Sequence, residues 1–187
     1  MVRKDLKQFL STISDKVTIV AATKYVDAND LKLLLDNGVT NFGENRVEAF
    51  LDKYELLKDK EITWHFIGHL QRNKAKLIAN KIDYLHSLDS LDLAKKLNDL
   101  REEVLPCFVE VSINREENKN GVLIEDLQGF LLKMQEFPKL KVIGLMMMTL
   151  NHSEENEQVE QFLKLKNLRD QTEKTLGISI PYLSMGM

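Results

Sequence analysis

Short apolar runs alternate with amphipathic stretches along the whole chain. The first run, VTIVAAT at residues 17–23, is rich in β-branched residues and almost continuously apolar, as a strand covered on both faces requires. ANDLKLLLDNGV then places Leu31, Leu34 and Leu35 on one helical face, with Asn37–Gly38 as a C-terminal stop. A short strand, VTNFGEN, leads into a helix carrying Val47, Phe50, Leu51, Tyr54 and Leu57. ITWHFIG reads as the third strand, LQRNKAKLIAN as the third helix and IDYLHS as the fourth strand. Leu93, Leu97, Leu100 and Val104 form the stripe of a fourth helix before the strand LPCFVEVSI. Leu127, Phe130, Leu131 and Met134 mark a fifth helix, and KVIGLMMMTL a sixth strand. A long helix is expected from about Ser153 to Leu176, its glutamates 154, 155 and 157 favourably placed against the N-terminal dipole. PYLSMGM reads as a seventh strand.

Strand–helix alternation of this kind implies repeated right-handed βαβ units and a parallel sheet. The sheet is either open and doubly wound or closed as a (β/α) barrel. No G-x-G-x-x-G and no G-x-x-x-x-G-K-[ST] occurs, which removes the usual nucleotide-binding reasons for an open sheet. Polar residues recur instead at the C-terminal ends of the predicted strands: Lys24, Asn45, His69, His86, Asn114 and Thr149. In a barrel such ends converge on one mouth. The expected fold is therefore α/β, a TIM-type barrel in one domain over residues 1–187, with seven strands visible where a barrel of this type has eight.

Composition narrows the function. The 26 basic and 29 acidic residues leave a net charge of −3, which argues against gripping nucleic acid through bulk charge. No apolar run approaches the roughly 20 residues of a membrane-spanning helix, and the charged first segment, MVRKDLKQFLSTISDKV, has no signal-peptide core. The single cysteine, Cys107, can form neither an internal disulfide nor a thiolate cage, so a reducing, cytoplasmic setting is expected.

Lys24 is the sharpest chemical candidate. At the end of an apolar strand its ammonium would be partly desolvated, which favours the neutral, nucleophilic amine that a Schiff base requires. The alternative is a solvated lysine marking where a strand meets water, and on spacing alone that alternative is the stronger. In NFGENR, Gly43 suits a tight turn, and Asn45 either caps a helix or points into the mouth. His65 and His69 straddle a strand end, and no glutamate completes H-E-x-x-H, so metal binding is not expected. Arg72, Lys74, Lys76 and Lys81 read as a solvated helix face. Met146, Met147, Met148 and Cys107 read as strand packing, with one or two of the methionines facing the barrel interior. Asn118 to Gly121 read as a loop, Gly121 with positive φ.

The motifs AATKY, NFGEN, WHFIGHLQRNK, HSLDS, KNGV, VIGLMMM and LSMGM occur in this order over essentially the whole chain. Together they resemble the pyridoxal phosphate homeostasis proteins, single-domain relatives of the alanine racemase barrel. The resemblance implies that Lys24 holds pyridoxal 5′-phosphate as a Schiff base, that Asn45 lies near the cofactor ring and that His65 stands at the barrel mouth. Ala22, Thr23 and Tyr25 stand where valine, serine and threonine are frequent in the family. It further implies intracellular vitamin B6 homeostasis with little or no catalysis, PLP-dependent enzymes as recipients, and a monomer. A racemase-like enzyme acting on amino acids is the alternative, although no residue is placed convincingly as a second base. In the family the chain continues past LSMGM with a serine, an eighth strand and an R-I-G phosphate loop. A chain ending at Met187 would hold the cofactor more weakly, expose open strand edges that favour association, or have lost binding altogether.

Overall fold

The structure is a computed structural model that describes residues 5–113, 120–149 and 153–186. Asn114, Asn118, Lys119, Leu150 and Met187, assigned above to strand ends and a loop, lie outside the described residues. The strands are β1 (Ala21–Ala22), β2 (Asn41–Glu44), β3 (Thr63–Phe66), β4 (Tyr84–Leu88), β5 (Leu105–Ser112), β6 (Val122–Leu123), β7 (Leu140–Met148) and β8 (Tyr182–Gly186). The helices are α1 (Leu6–Ser11), α2 (Ala28–Asp36), α3 (Val47–Leu56), α4 (Ala75–Ile78), α5 (Leu91–Leu100), α6 (Leu127–Met134) and α7 (Glu155–Leu176). Every ladder is parallel, in the order β1-β2-β3-β4-β5-β7-β8, and β6 pairs with β5 beside this path.

The sheet is strongly curled. With β5 and β7 between them, β4 and β8 would lie about 14 Å apart in a flat sheet, at roughly 4.8 Å per strand. Yet a side chain of β4, His86, reaches Ser184 of β8 at 2.7 Å. The path bends around an interior, as in a TIM-type barrel. Among the described residues, β1 and β8 are each paired on one side only.

Burial follows the apolar pattern. Leu31 and Leu34 of α2, Val47 and Phe50 of α3, and Leu93, Ala94 and Leu97 of α5 are all buried. Phe42 and Phe50 meet the Trp64 ring edge-on, at 5.8 and 5.3 Å between centroids, which locks β2 and β3 to α3. The stop after α2 and the positive φ of Gly121 are as expected: Gly38 has φ 81° and Gly121 φ 120°; Gly177 (φ 64°) ends α7 in the same left-handed way as Gly38. A reciprocal capping box joins Glu154 and Glu157 at the start of α7.

Three elements depart from the pattern. The expected first strand shrinks to Ala21–Ala22, because only these residues pair in ladder register with β2, and Val17 is exposed. The expected third helix over residues 70–80 is helical only from Ala75 to Ile78. Its apolar positions Leu70, Ala75, Ile78 and Ala79 are nonetheless buried, so the spacing reported burial more faithfully than backbone conformation. Val104, assigned to the α5 stripe, lies beyond the helix and is exposed. Helix α1 and strand β6 were not expected from the pattern.

Candidate cofactor site

Because all the strands run the same way, their C-terminal ends share one rim. Ala22 pairs with Gly43, and the next amide, that of Thr23, donates to the Gly43 carbonyl at 2.9 Å. Two residues beyond this pair in sequence come Lys24, in the turn after β1, and Asn45, just past the end of β2. Lys24 is exposed, its Nζ 5.5 Å from the centre of the Tyr25 ring. Among the described residues no carboxylate pairs with it. Lys24 is thus solvated, the reading that spacing alone favoured, at the end of a strand that among the described residues is paired on one side only.

Asn45 is half-buried and helps to line a cleft of about 260 Å³ with Glu48, His69, Gln71 and Lys74. It does not cap α3; that position belongs to Arg46, whose side chain makes no capping bond. Gly68 accounts for the close fit at the end of β3. A Cβ there would overlap the Asn45 carbonyl and come within 2.6 Å of Asn45 Cα. Gly43 serves a similar purpose rather than the expected tight turn. It lies inside β2, and a Cβ would stand 3.0 Å from both Ile67 and Val20.

The four residues of the predicted basic face separate. Arg72 and Lys74 form ion pairs with Asp92 (3.0 Å) and Glu48 (2.6 Å), and Lys81 lies over the Tyr54 ring. His69 is exposed and meets Asp89 Oδ2 at 3.0 Å. Glu110 of β5 is more buried, and burial raises its carboxyl above the usual range, with Asp89 adding to the shift and His69 opposing it.

His65 and His69 thus occupy different environments. His65, expected at the mouth, is buried within β3, and His86, expected at a strand end, is buried within β4. They belong to one hydrogen-bonded chain. Asn41 Oδ1 can only accept, so His65 Nε2–H donates to it at 3.0 Å. His65 Nδ1 is then the acceptor for His86 Nε2–H at 2.8 Å, and His86 Nδ1 accepts from the Ser184 hydroxyl at 2.7 Å. Tyr84 stacks on His65 and Phe108 on His86. Burial pulls His65 down to about 4. Burial, and then the neighbouring His65, pull His86 down to about 3. Both rings are neutral near pH 7, with every nitrogen engaged.

Beneath Lys24 lies a group that the sequence reading missed. Glu44 is fully buried on the helix-facing side of β2. Its Oε1 accepts from Thr23 Oγ1 and from Lys53 Nζ of α3, each at 2.5 Å. Lys53 Nζ also donates to the Thr23 carbonyl at 2.5 Å. The alternation that puts Phe42 toward the helices puts Glu44 there too, and this was the available signal.

Comparison with known proteins agrees with this architecture. The family described as "Alanine racemase, N-terminal domain" matches residues 3–187. The pyridoxal phosphate homeostasis protein of Aquifex aeolicus is 37% identical over 175 residues, covering 90% of this chain and 75% of the relative. PipY of Synechococcus elongatus, solved without PLP, superposes with a TM-score of 0.92 at 26% identity, covering 98% of this chain and 88% of PipY. PipY with PLP bound gives a TM-score of 0.88 at 21% identity, covering 98% of this chain and 96% of PipY, and shows the shared fold. With the curled parallel sheet and strand-end lysine already in place, these matches establish that the chain belongs to the alanine racemase N-terminal domain family and, within it, to the pyridoxal phosphate homeostasis proteins.

Proposed function

We propose that this chain binds pyridoxal 5′-phosphate at the rim through Lys24 and takes part in vitamin B6 homeostasis, holding the cofactor with little or no turnover. The observation that carries this reading is the placement of Lys24: an amine just past the end of β1, on the rim that the strand ends share, with no carboxylate partner among the described residues. An ion-paired lysine would be held as ammonium and could not act as a nucleophile. Pyridoxal phosphate would supply an aldehyde, and Lys24 would hold it through its amine. Asn45, packed closely against Gly68, offers an amide at the end of the next strand on the same rim. His65 supports the site from the layer beneath, since neither ring nitrogen is free to bond a ligand. The homeostasis name carried by relatives at this identity, and the PLP bound in PipY, support the same reading.

The interior histidines are not placed to act as bases. Removal of an α-proton from an amino acid calls for a base at the mouth with a suitable pKa. His65 and His86 are tied into the interior chain and hold protons only in acid. We further propose a cytoplasmic protein that passes cofactor to PLP-dependent enzymes. The test is borohydride reduction of the chain with pyridoxal phosphate, followed by peptide mass spectrometry. A pyridoxyl mass on Lys24, lost in Lys24→Ala with the thermal melt unchanged, is the expected result. No adduct at saturating cofactor overturns the reading.

A further inference from the structure

We propose that Glu44 and Lys53 form a buried charged brace whose task is to position Lys24 for the cofactor. The inference rests on the reading of Lys24 given above. Strand β1 has two ladder residues and one neighbouring strand, too little to hold the chain rigidly where Lys24 leaves the sheet. The peptide between Thr23 and Lys24 is held instead from the helix side. Lys53 Nζ donates to the Thr23 carbonyl, and the Thr23 hydroxyl donates to Glu44 Oε1, which the same Lys53 also bonds. The Thr23 carbonyl additionally accepts from the Val26 amide at 3.0 Å, closing the turn that contains Lys24.

Stability alone does not explain the arrangement. A buried ion pair adds little over well-packed apolar residues of the same volume. This one is poorer than most, because Glu44 Oε2 is buried with no hydrogen-bond partner. A carboxylate retained at such a cost is explained by what it orders, and both groups that bond its other oxygen also bear on the residue preceding Lys24. Glu44 and Lys53 bear on Lys24 only through Thr23, so they are positioning residues.

The test compares the 187-residue chain with the double variant E44L/K53M, which removes both charges together and leaves none unpaired. Two quantities are read: the equilibrium constant for the borohydride-reducible adduct on Lys24, and amide hydrogen exchange at Thr23 and Val26 without cofactor. The expected result is an adduct constant at least tenfold lower, with at least tenfold faster exchange at these amides and unchanged exchange in β3 to β5. Lys53→Arg, which keeps the charge and a donor, should return both quantities to within about twofold of the parent. If the double variant does not fold, Thr23→Val, which removes one hydroxyl from the brace, should still lower the adduct constant about threefold. An adduct constant within twofold of the parent in the folded variant overturns the brace and leaves the cofactor reading standing. A parent chain without a Lys24 adduct overturns the cofactor reading, and the brace is then judged on exchange: rates unchanged in the variant overturn it as well.

Discussion

Acid should unfold this protein earlier than its carboxylates alone would require, because two histidines are buried neutral. Their folded pKa values, about 4 for His65 and about 3 for His86, lie below the ordinary 6.5 that they regain on unfolding. A depressed folded pKa contributes stability that is fully present above the unfolded value and is lost as pH falls toward the folded one. Between pH 7 and pH 5 the unfolded chain takes up about 0.7 proton per histidine, while the folded chain takes up almost none. Each residue therefore removes about 2 kcal/mol over that interval, and the pair about 4 kcal/mol. The two values add, because neither ring is charged in the folded state at pH 5 and their mutual repulsion does not enter. Against a total stability of roughly 5–15 kcal/mol for a domain, this is a large fraction. Glu110 acts in the opposite direction: burial raises its pKa, so the folded state gains a proton first. The comparison that isolates the histidines is urea unfolding from pH 7 to pH 5 of the parent and of a His65→Gln/His86→Gln double variant, in which Glu110 is common to both. The parent should lose about 4 kcal/mol more than the variant. A difference below about 1 kcal/mol would show that the rings are already protonated, or already solvated, in the folded protein.

Two further outcomes follow from close packing and burial. Gly144→Ala places a methyl group on the Tyr182 carbonyl, in the ladder between β7 and β8. It should cost at least about 2–3 kcal/mol in a denaturant melt, and a variant as stable as the parent would mean that β8 shifts freely. Cys107 is fully buried and burial pushes its thiol up. It should react with a disulfide reagent orders of magnitude more slowly in the folded chain than in urea, and rapid labelling in buffer would show that the β5 core opens.

Much of the fold is legible because it depends on local spacing. The leucine stripe of α5, the glycine after α7 and the apolar run of β5 lie within a few residues of the positions that explain them. The failures have an equally local cause. VTIVAAT has the composition of a full strand, but strand length depends on neighbours, and an edge with one short partner pairs only two of its residues. The stripe around α4 records which side chains face the core, and loop backbone can bury the same residues as helix. In the candidate site, the chain identifies Lys24 as a strand-end lysine and places Asn45 at the end of the next strand. Spacing alone also favoured a solvated Lys24, and the structure has it exposed at an edge that, among the described residues, is paired on one side only.

The sequence alone determined the alternating elements, the parallel sheet and the family, because apolar periodicity, turn residues and linear motifs act over short stretches of chain. Tertiary structure decided which polar residues meet. His86 and Ser184 are 98 residues apart and bond only because the sheet curls until β4 faces β8. Thr23, Glu44 and Lys53 come from a strand end, the next strand and a helix, and they converge only once α3 packs on β2. Hydrogen bonds and buried charges depend on distances of a few ångströms, which curvature and packing set and spacing along the chain does not.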